Sequence, residues 1–571
     1  MRLPIKNRFS MKNDKDLLVR LGLIFTGVVL IYVGYTTWIR GQVQAYHEIA
    51  VLSMVSYILG FCSLLLSAIN YRKLIEFKYI EYFIFFMLLF CLILWVYTYI
   101  HIASPNYGTD AMAFNHYSAQ LVLEGKNPYQ YSMAPAIEKF NVPREIITLY
   151  TDGTSVDRTP HPALSFLIYV PFVAVGLSDM RWVTLLFHVA VLAIIFYKAP
   201  KNLKPLILLP LFFPDMLDYT AGAITDFLWV LPLVLMVLYI DDVRKSGIFF
   251  GLACAVKSTA LIFAPFLLIW YWKTGVTPNF KKQFVKVTKF FSISAAAFLI
   301  PNLPFLLSDF GAWVHGALAP MFGNMIPFGS GLSSASQIGM ISLPKIFFTT
   351  CMILVTLMLT LNYWVYFDRM KYAIWIFPAI ILWFSYRSLH SYFIYFVPVL
   401  LMSLCLWHDK MRKGEVTEKR PLRRTKTILG FNYRRFVAPV SLTMCISLMF
   451  VFGLAFRSQG SVSVELAGTM RDEENVGRVD ALTVKVANNE AAAITPVFSV
   501  VGGMPGAYPF CWEIENGPSS LGGGASAVYE IRAGMWQKAI LPGNVFIVRV
   551  NDAPNDIYFV SEPAVANPQK Q

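Results

Sequence analysis

Residues 82–100 read YFIFFMLLFCLILWVYTYI, a run of 19 residues without one charged side chain. A helix needs about 20 mostly apolar residues to cross the hydrocarbon core of a bilayer, so this run is predicted to span a membrane. Apolar runs of comparable character recur along the chain from Leu17 to Phe456. The predicted fold class is therefore a polytopic α-helical membrane protein.

Composition agrees with this prediction and excludes several other classes. Of the 571 residues, 56% are hydrophobic and 14% are charged, whereas a soluble domain carries about 25% charged residues. Mean hydropathy is +0.55. The net charge of +14 could suggest nucleic-acid binding, but residues 457–571 carry −4 and the preceding residues carry +18 in short loops. Basic loops beside apolar runs are typical of a cytoplasmic membrane face, so no nucleic-acid partner is predicted.

Thirteen membrane spans are predicted, and several are too short for an upright crossing. We expect the short ones to be tilted, irregular or sheltered by their neighbours. They are Leu17–Trp38, Ile49–Ile69, Tyr82–Ile100, Trp182–Tyr197, Leu206–Met216, Ala223–Ile240, Gly247–Val256, Leu261–Trp272, Phe290–Leu306, Ile346–Tyr366, Tyr372–Ser385, Tyr392–Trp407 and Val437–Phe456.

A fourteenth apolar run, Ala163–Leu177, determines the orientation of every later span. If it crossed the membrane, the basic residues of 198–204, 273–289 and 409–435 would all lie outside, against the positive-inside bias. We therefore predict an interfacial or re-entrant helix. The chain is then a multi-pass protein of the cell (inner or plasma) membrane with a cytoplasmic N-terminus and an extracytoplasmic C-terminal tail.

The predicted organisation has two domains. Residues 1–456 form the transmembrane domain, with residues 102–181 as the first large extracytoplasmic loop with juxtamembrane helices and residues 409–436 as a basic cytoplasmic loop. Residues 457–571 alternate apolar and polar side chains in short runs, a pattern that predicts an extracytoplasmic β-sandwich. Whether that domain binds carbohydrate, caps the protein or docks a partner stays open.

Asp110, in the sequence Tyr107-Gly108-Thr109-Asp110, is the candidate catalytic residue of the outer loop. A carboxylate at the membrane surface could act as a general base on an attacking hydroxyl. The alternative is that Asp110 caps the helix predicted for residues 111–124, since Asp is a favoured N-cap.

Lys257, Arg387 and His390 are the candidate phosphate-binding residues at the outer interface. Ionisable side chains at membrane depth are functional candidates, and Arg can bind a phosphate through two hydrogen bonds. The alternative is that these side chains extend to lipid phosphates. Asp226 could pair with a cation or bind a sugar.

No metal site is predicted, because His116, His161, His315 and Asp110 show no known ligand spacing. A divalent metal is left open as a cofactor. Six of the seven cysteines lie in apolar runs and only Cys511 lies in the tail, so the tail has no internal disulfide.

Several motifs resemble those of membrane glycosyltransferases of the GT-C fold, in particular the polyprenol-phosphate-dependent mannosyl- and arabinosyltransferases of glycosyltransferase family 87. They are Gly108-Thr109-Asp110 with the helix and turn that end at Gly125-Lys126-Asn127-Pro128-Tyr129, then Arg158-Thr159-Pro160-His161-Pro162, and GLACAVKSTALIFAP at residues 251–265.

The resemblance implies transfer of a hexose or pentose from a polyprenyl-phosphate donor to a hydroxyl of a glycan, glycolipid or protein acceptor, with inversion. Asp110 would be the base, and Lys257, Arg387 and His390 would hold the donor phosphate. The expected substrate-binding residues are Tyr107, His116, Lys126, Tyr129, Arg158, His161 and Asp226. The alternatives are a transporter or flippase for a lipid-linked or polar substrate, and a structural assembly protein.

Overall fold

The computed structural model describes residues 11–69, 79–104, 106–142, 147–201, 203–274, 279–337, 343–412, 434–456, 462–471, 479–502, 510–533, 540, 544–552 and 557–565. Most of the predicted basic loop 409–436 therefore lies outside the described residues.

The part of the chain up to Phe456 is helical. Its helices are α1 (Met11–Arg40), α2 (His47–Ala68), α3 (Ile80–Ala103), α4 (Asp110–Leu123), α5 (Ala134–Lys139), α6 (Leu164–Leu167), α7 (Val170–Ala174), α8 (Arg181–Lys198), α9 (Lys204–Ile207), α10 (Pro214–Ala221), α11 (Phe227–Leu238), α12 (Val243–Val256), α13 (Ala264–Lys273), α14 (Phe280–Ser308), α15 (Phe310–Ala317), α16 (Ala319–Phe322), α17 (Ser333–Gln337), α18 (Lys345–Val365), α19 (Phe367–Met370), α20 (Phe377–Trp383), α21 (Ser391–Ile394), α22 (Val397–Arg412) and α23 (Arg434–Phe456). Short 3-10 turns occupy Pro128–Gln130, Leu209–Phe212, Ser258–Phe263 and Ala373–Trp375.

Eight helical segments within the described residues are long and apolar enough to cross a membrane, which confirms the membrane character of the chain. These segments are Asp16–Arg40, His47–Ala68, Ile80–Ala103, Arg181–Lys198, Phe280–Ser308, Lys345–Val365, Ser391–Arg412 and Phe436–Ala455. Each corresponds to one of the thirteen predicted spans.

The other five predicted spans are short or interrupted helices. Leu206–Met216 is broken into α9, a 3-10 turn and the start of α10, with Pro205, Pro210 and Pro214 at the helix starts. Proline lacks the amide that a continuous helix needs, which explains these breaks. The remaining four correspond to α11, to α12, to a 3-10 turn with α13, and to a 3-10 turn with α20. The count of thirteen crossings stays a prediction.

Exposed apolar stripes explain why these helices need a membrane. On α1, the side chains of Leu17, Leu21, Ile24 and Val28 recur every three or four residues and are all exposed. Similar stripes lie on α2 and α23. A soluble monomer rarely exposes contiguous apolar surface of this extent, whereas lipid tails solvate it.

The run Ala163–Leu177 forms two short helices, α6 and α7, and both of its ends meet the same loop. Before it, the carbonyl of His161 accepts a hydrogen bond from the Tyr129 hydroxyl at 2.8 Å. After it, the Met180 amide donates to the Tyr107 hydroxyl at 3.0 Å. Helices α6 and α7 contain four and five residues and would span about 14 Å if placed end to end. The two helices are therefore too short to cross the ~30 Å hydrocarbon core.

The C-terminal part forms a single antiparallel sheet. Its strands are β3 (Val462–Arg471), β4 (Val479–Asn488), β5 (Pro496–Gly502), β6 (Phe510–Asn516), β7 (Ser526–Ala533), β8 (Val545–Asp552), β9 (Ile557–Val560) and β10 (Ala564–Val565), following the short parallel pair β1 (Phe328–Gly329) and β2 (Arg387–Ser388) of the helical part. The order is β10-β8-β5-β6-β7-β4-β3, with β9 also paired to β8.

The predicted β-domain is therefore confirmed. Its strands, however, do not form the predicted sandwich. They make one connected sheet that curls until β3 packs against β8 and β9, as in a barrel. Apolar residues of alternating positions, such as Val484, Phe498 and Val548, fill the interior. The same alternation lines the inside of a sandwich and of a barrel, so the sequence could not distinguish them.

Candidate functional site

Asp110 is the first residue of α4, and its neighbour Thr109 is the N-cap. The Thr109 hydroxyl accepts a hydrogen bond from the Met112 amide at 3.3 Å, so the alternative prediction of Asp110 as the cap is wrong. The partly buried Asp110 carboxylate instead accepts a hydrogen bond at Oδ2 from the Thr148 amide, at 3.0 Å. No further hydrogen bond reaches Asp110 from the described residues. Its Oδ1 is therefore not engaged by them.

The start of α4 is tied to the turn that precedes α11. The Thr109 hydroxyl donates to the Ala223 carbonyl at 2.9 Å. Gly108 packs so closely that a Cβ atom there would lie 2.7 Å from the Gly222 carbonyl oxygen. This close approach requires glycine at position 108. It brings Asp110 to the segment that carries Asp226.

Asp226 and Lys257 form a buried ion pair. Lys257 lies where α12 ends, in an extended backbone conformation, and its ammonium donates to Asp226 Oδ1. The side chains are 12% and 1% exposed for Lys257 and Asp226. The Trp229 indole also donates to Asp226 Oδ1, at 2.7 Å, and the Tyr392 ring centre lies 4.7 Å from the Lys257 ammonium. Within the described residues, Asp226 Oδ2 has no hydrogen-bond partner.

Arg387 is connected to Asp110 through two backbone segments. Thr148, whose amide binds Asp110, precedes Leu149, whose carbonyl accepts from the Ile326 amide at 3.0 Å. The Ile326 carbonyl in turn accepts from Arg387 Nη1 at 3.0 Å. The pairing of β1 with β2 holds Arg387 opposite Phe328. Asp110 and Arg387 thus belong to one hydrogen-bonded network.

These contacts close into a ring. Asp110 is linked to Asp226 through the Thr109–Ala223 bond, Asp226 binds Lys257, Lys257 lies over Tyr392, and Tyr392 follows Arg387 by five residues. The segments that carry Asp110, Lys257 and Arg387 are therefore linked to one another, although these residues are far apart in sequence.

His161 lies beside this ring and is anchored by Tyr129. Loss of solvation lowers the pKa of His161 to about 3, and the positive charge of Lys257 lowers it too, whereas Asp226 opposes the shift. These electrostatic effects require that the imidazole be near the ion pair. The imidazole is therefore neutral near pH 7. Arg158 donates to the Tyr129 carbonyl at 3.4 Å and lies near Asp157.

Tyr107 and His116 have internal partners. The Tyr107 hydroxyl contacts His116 Nδ1 at 2.9 Å, and the imidazole stacks on Phe140. Both residues are buried. Burial lowers the pKa of His116 to about 4, and the charge of Lys139 contributes to the decrease. These contacts brace the start of the loop and leave neither side chain open to a ligand.

Lys126 lies far from Asp110, and His390 already has polar partners in the structure. Lys126 is exposed beyond the far end of α4, about 20 Å from Asp110 by helix rise, and it pairs with Glu124 at 2.7 Å. His390 Nδ1 contacts the Tyr219 hydroxyl at 2.7 Å and lies 3.5 Å from Asp215 Oδ2. The Asp215 carboxylate would compete with an anionic ligand for this side chain.

Three residues at the ring were not predicted from the sequence. Trp229 follows Asp226 by three residues, and this spacing places both on one side of a helix. That spacing is the sequence feature from which their contact could have been predicted. Tyr392 is one of many aromatic residues in the apolar runs, and nothing in the sequence distinguishes it. Thr148 acts through its backbone amide, which leaves no sequence signal at all.

Within the described residues, no group of three or more His, Cys, Asp or Glu side chains could hold a metal ion. Comparison with protein-family models, curated proteins and solved structures gives no match.

Proposed function

We propose that this protein is a membrane glycosyltransferase that moves a sugar from a polyprenyl-phosphate donor to an acceptor hydroxyl at the extracytoplasmic face. The observation that carries the proposal is the hydrogen-bonded network from Asp110 through Thr148, Leu149 and Ile326 to Arg387. It holds a carboxylate and a guanidinium, distant in sequence, at the same end of a membrane-embedded bundle.

The proposed sidedness has support from the run Ala163–Leu177, because its two helices of four and five residues are too short to cross the hydrocarbon core. A run that does not cross leaves the orientation of the later helices unchanged. The basic segments then lie on the cytoplasmic face and Asp110 lies on the extracytoplasmic face, where a lipid-linked donor and a water-soluble acceptor meet.

In the proposed reaction, the acceptor hydroxyl attacks the anomeric carbon while the bond from that carbon to the lipid phosphate oxygen breaks. The hydroxyl proton passes to Asp110 Oδ1, since Thr148 holds Oδ2. A single displacement inverts the anomeric carbon. The lipid phosphate, a monoanionic diester in the donor, leaves as a monoester with additional negative charge.

Lys257 and Arg387 would stabilise that additional charge. An ammonium has three N–H donors, and the described contacts of Lys257 give one to Asp226 and direct the group over Tyr392. The planar guanidinium of Arg387 can bind a phosphate through two hydrogen bonds, and its hydrogen bond to the Ile326 carbonyl positions it. Removing one positioned donor to a developing anion typically lowers the rate by about 10²–10³.

The direct test replaces Asp110 by Asn in full-length protein reconstituted with polyprenyl-phosphate-linked radiolabelled mannose or arabinose and a panel of glycan, glycolipid and peptide acceptors. Loss of a general base is expected to lower the transfer rate by about 10²–10⁴. Asn retains an oxygen for the Thr148 amide, so the melting temperature should not change.

The matched control is Glu138→Gln, which neutralises an exposed acid on α5 of the same loop and should transfer sugar at the wild-type rate. Wild-type activity in Asp110→Asn would reject Asp110 as the base. If the wild-type protein transferred neither sugar to any of the acceptors, the proposal would be rejected for those sugars and acceptors.

A transporter or flippase is the second candidate, and the interrupted helices favour it. α12 breaks at Lys257 into an extended residue followed by a 3-10 turn, and transporters often bind substrates at such breaks. This candidate predicts that fluorescent polyprenyl-phosphate lipid moves between leaflets with equal rates in wild type and Asp110→Asn. The glycosyltransferase proposal predicts no such movement.

A further inference from the structure

The end of the bundle opposite Asp110 gathers lysines from separate segments. α11 begins next to Asp226 and ends just before Asp241. Tyr392 lies in α21, and the following helix α22 contains Lys410 near its end. Counted along these helices, Asp241 lies about 22 Å from Asp226 and Lys410 about 27 Å from Tyr392. These separations approach the ~30 Å thickness of the hydrocarbon core.

The lysine cluster consists of Lys286, Lys371 and Lys410 around Asp241. The Lys410 ammonium lies 2.5 Å from Asp241 Oδ2. Lys371 and Lys286 are both close enough to Asp241 for its charge to act on them. The four residues come from the α11–α12 turn, α14, the residue after α19, and α22.

Aromatic rings lie beside two of the three ammonium groups. The Lys371 ammonium lies 4.9 Å from the ring centre of Trp270 and 5.6 Å from that of Tyr372. The Lys286 ammonium lies 5.3 Å from the Tyr271 ring centre. Trp and Tyr are enriched at the level of the lipid headgroups, which places the ammonium groups at that level.

The cluster has more positive than negative charge. Burial lowers the pKa of Lys371, and Lys410 and Lys286 lower it as well, while Asp241 and Asp368 oppose the shift. The segments 241–245, 273–289, 367–371 and 408–412 together contain eleven basic and four acidic residues. Partly buried ammonium groups that repel one another are stabilised when an anion binds between them.

We propose that Lys371, with Lys286 and Lys410, binds the phosphate of an anionic phospholipid headgroup. The occupant is a lipid because the cluster lies at the end of membrane-crossing helices and beside aromatic rings of the interface, where headgroup phosphates are concentrated. The site is independent of the proposed sugar transfer, since it lies at the opposite end of the bundle and shares no residue with the ring around Asp110.

The test measures the melting temperature of the full-length protein in detergent micelles doped with phosphatidylglycerol or, separately, with phosphatidylcholine. Phosphatidylglycerol should raise the melting temperature more than phosphatidylcholine does, and the difference should shrink when sodium chloride is added. Lys371→Gln should lose at least half of this difference. Lys371→Arg, which keeps the charge, should retain it.

Lys282→Gln is the matched control, because Lys282 is exposed on the same helix as Lys286 and makes no side-chain contact within the described residues. It should respond as wild type. Equal stabilisation of wild type by the two lipids would overturn the proposal, whether or not the variants fold. An equal shift produced by inorganic phosphate at the same phosphate concentration would identify a soluble anion and overturn the lipid assignment.

Discussion

The Asp226–Lys257 ion pair combines burial with a position beside the proposed catalytic base. A buried charge is costly unless it is paired and hydrogen-bonded. Asp226 therefore fixes Lys257, and Trp229 fixes Asp226. The pair is therefore locally neutral, and the Lys257 ammonium is held in a fixed orientation.

Asp226→Ala should destabilise the folded protein by about 3–5 kcal/mol, because it leaves Lys257 buried without its counter-charge. The free energy of unfolding would be measured by denaturant titration in detergent. The double variant Asp226→Asn with Lys257→Met removes both charges and should recover most of the loss.

The matched control is Glu515→Ala, which removes an exposed pair with Arg532 of 3.0 Å separation. It should cost at most about 1 kcal/mol. If Asp226→Ala cost no more than Glu515→Ala, the described pair would not hold Lys257 in place.

The turn from Gly222 to Asp226, between α10 and α11, joins the outer loop to the helix bundle. It receives Gly108 and Thr109 on one side and presents Asp226 to Lys257 on the other. Ala223 has a positive φ of 69°, a conformation that costs an L-residue energy. Its carbonyl is thereby available to Thr109.

Gly108→Ala should destabilise the loop by about 1–3 kcal/mol, because the added methyl would overlap the Gly222 carbonyl. Protection of the α4 amides from hydrogen exchange should fall, and Asp110 should lose its position. The control is Gly311→Ala at an exposed position of α15, where a methyl meets only Asp309 at 3.5 Å; it should be neutral or stabilising. Equal effects of the two substitutions would show that the close approach at Gly108 does not constrain the loop.

Long apolar helices were predictable from the sequence because membrane burial requires a continuous run. Residues 82–100 were predicted, and α3 extends from Ile80 to Ala103. The interrupted segments were harder, since α9–α10 and α20 are sheltered by neighbouring helices rather than defined by their own length. The curl of the β-domain was not predictable, because it depends on contacts between β3 and β9 across the sheet.

The residue types of the candidate site were predictable, but their partners were not. Lys257 and Arg387 were selected as exceptions to the charge pattern. Asp226 and Lys257 are separated by 31 positions, and one sequence contains no signal for their pairing. The link from Asp110 to Arg387 uses backbone atoms of Thr148, Leu149 and Ile326, which any residue could supply.

Across the whole molecule, the two ends of the bundle have different chemistry. One end has the ring of Asp110, Asp226, Lys257 and Arg387 below the large loop, and the other has the lysine cluster around Asp241. α11, α12 and α22 connect the two ends. The positive-inside bias produces this difference between the two ends when the lysines face the cytoplasm.

The C-terminal β-domain contacts the loop that positions Asp110. A Cβ atom at Gly153 would lie 3.3 Å from Val497 of β5, and Asp152 acts electrostatically on Cys511 of β6. Burial raises the pKa of the Cys511 thiol to about 11, while Arg549 opposes the shift. The domain thus lies on the same side of the bundle as Asp110.

The most direct test determines which side of the membrane each end of the helix bundle faces. Single cysteines would be introduced by Glu138→Cys in the large loop and by Lys281→Cys at the start of α14, in a background with Cys62 and Cys511 replaced by Ser. Intact cells would be treated with a membrane-impermeant maleimide. We predict that the cysteine at 138 reacts in intact cells and that the cysteine at 281 reacts only after permeabilisation. The reverse pattern would place Asp110 on the cytoplasmic side and contradict the proposed orientation of the bundle.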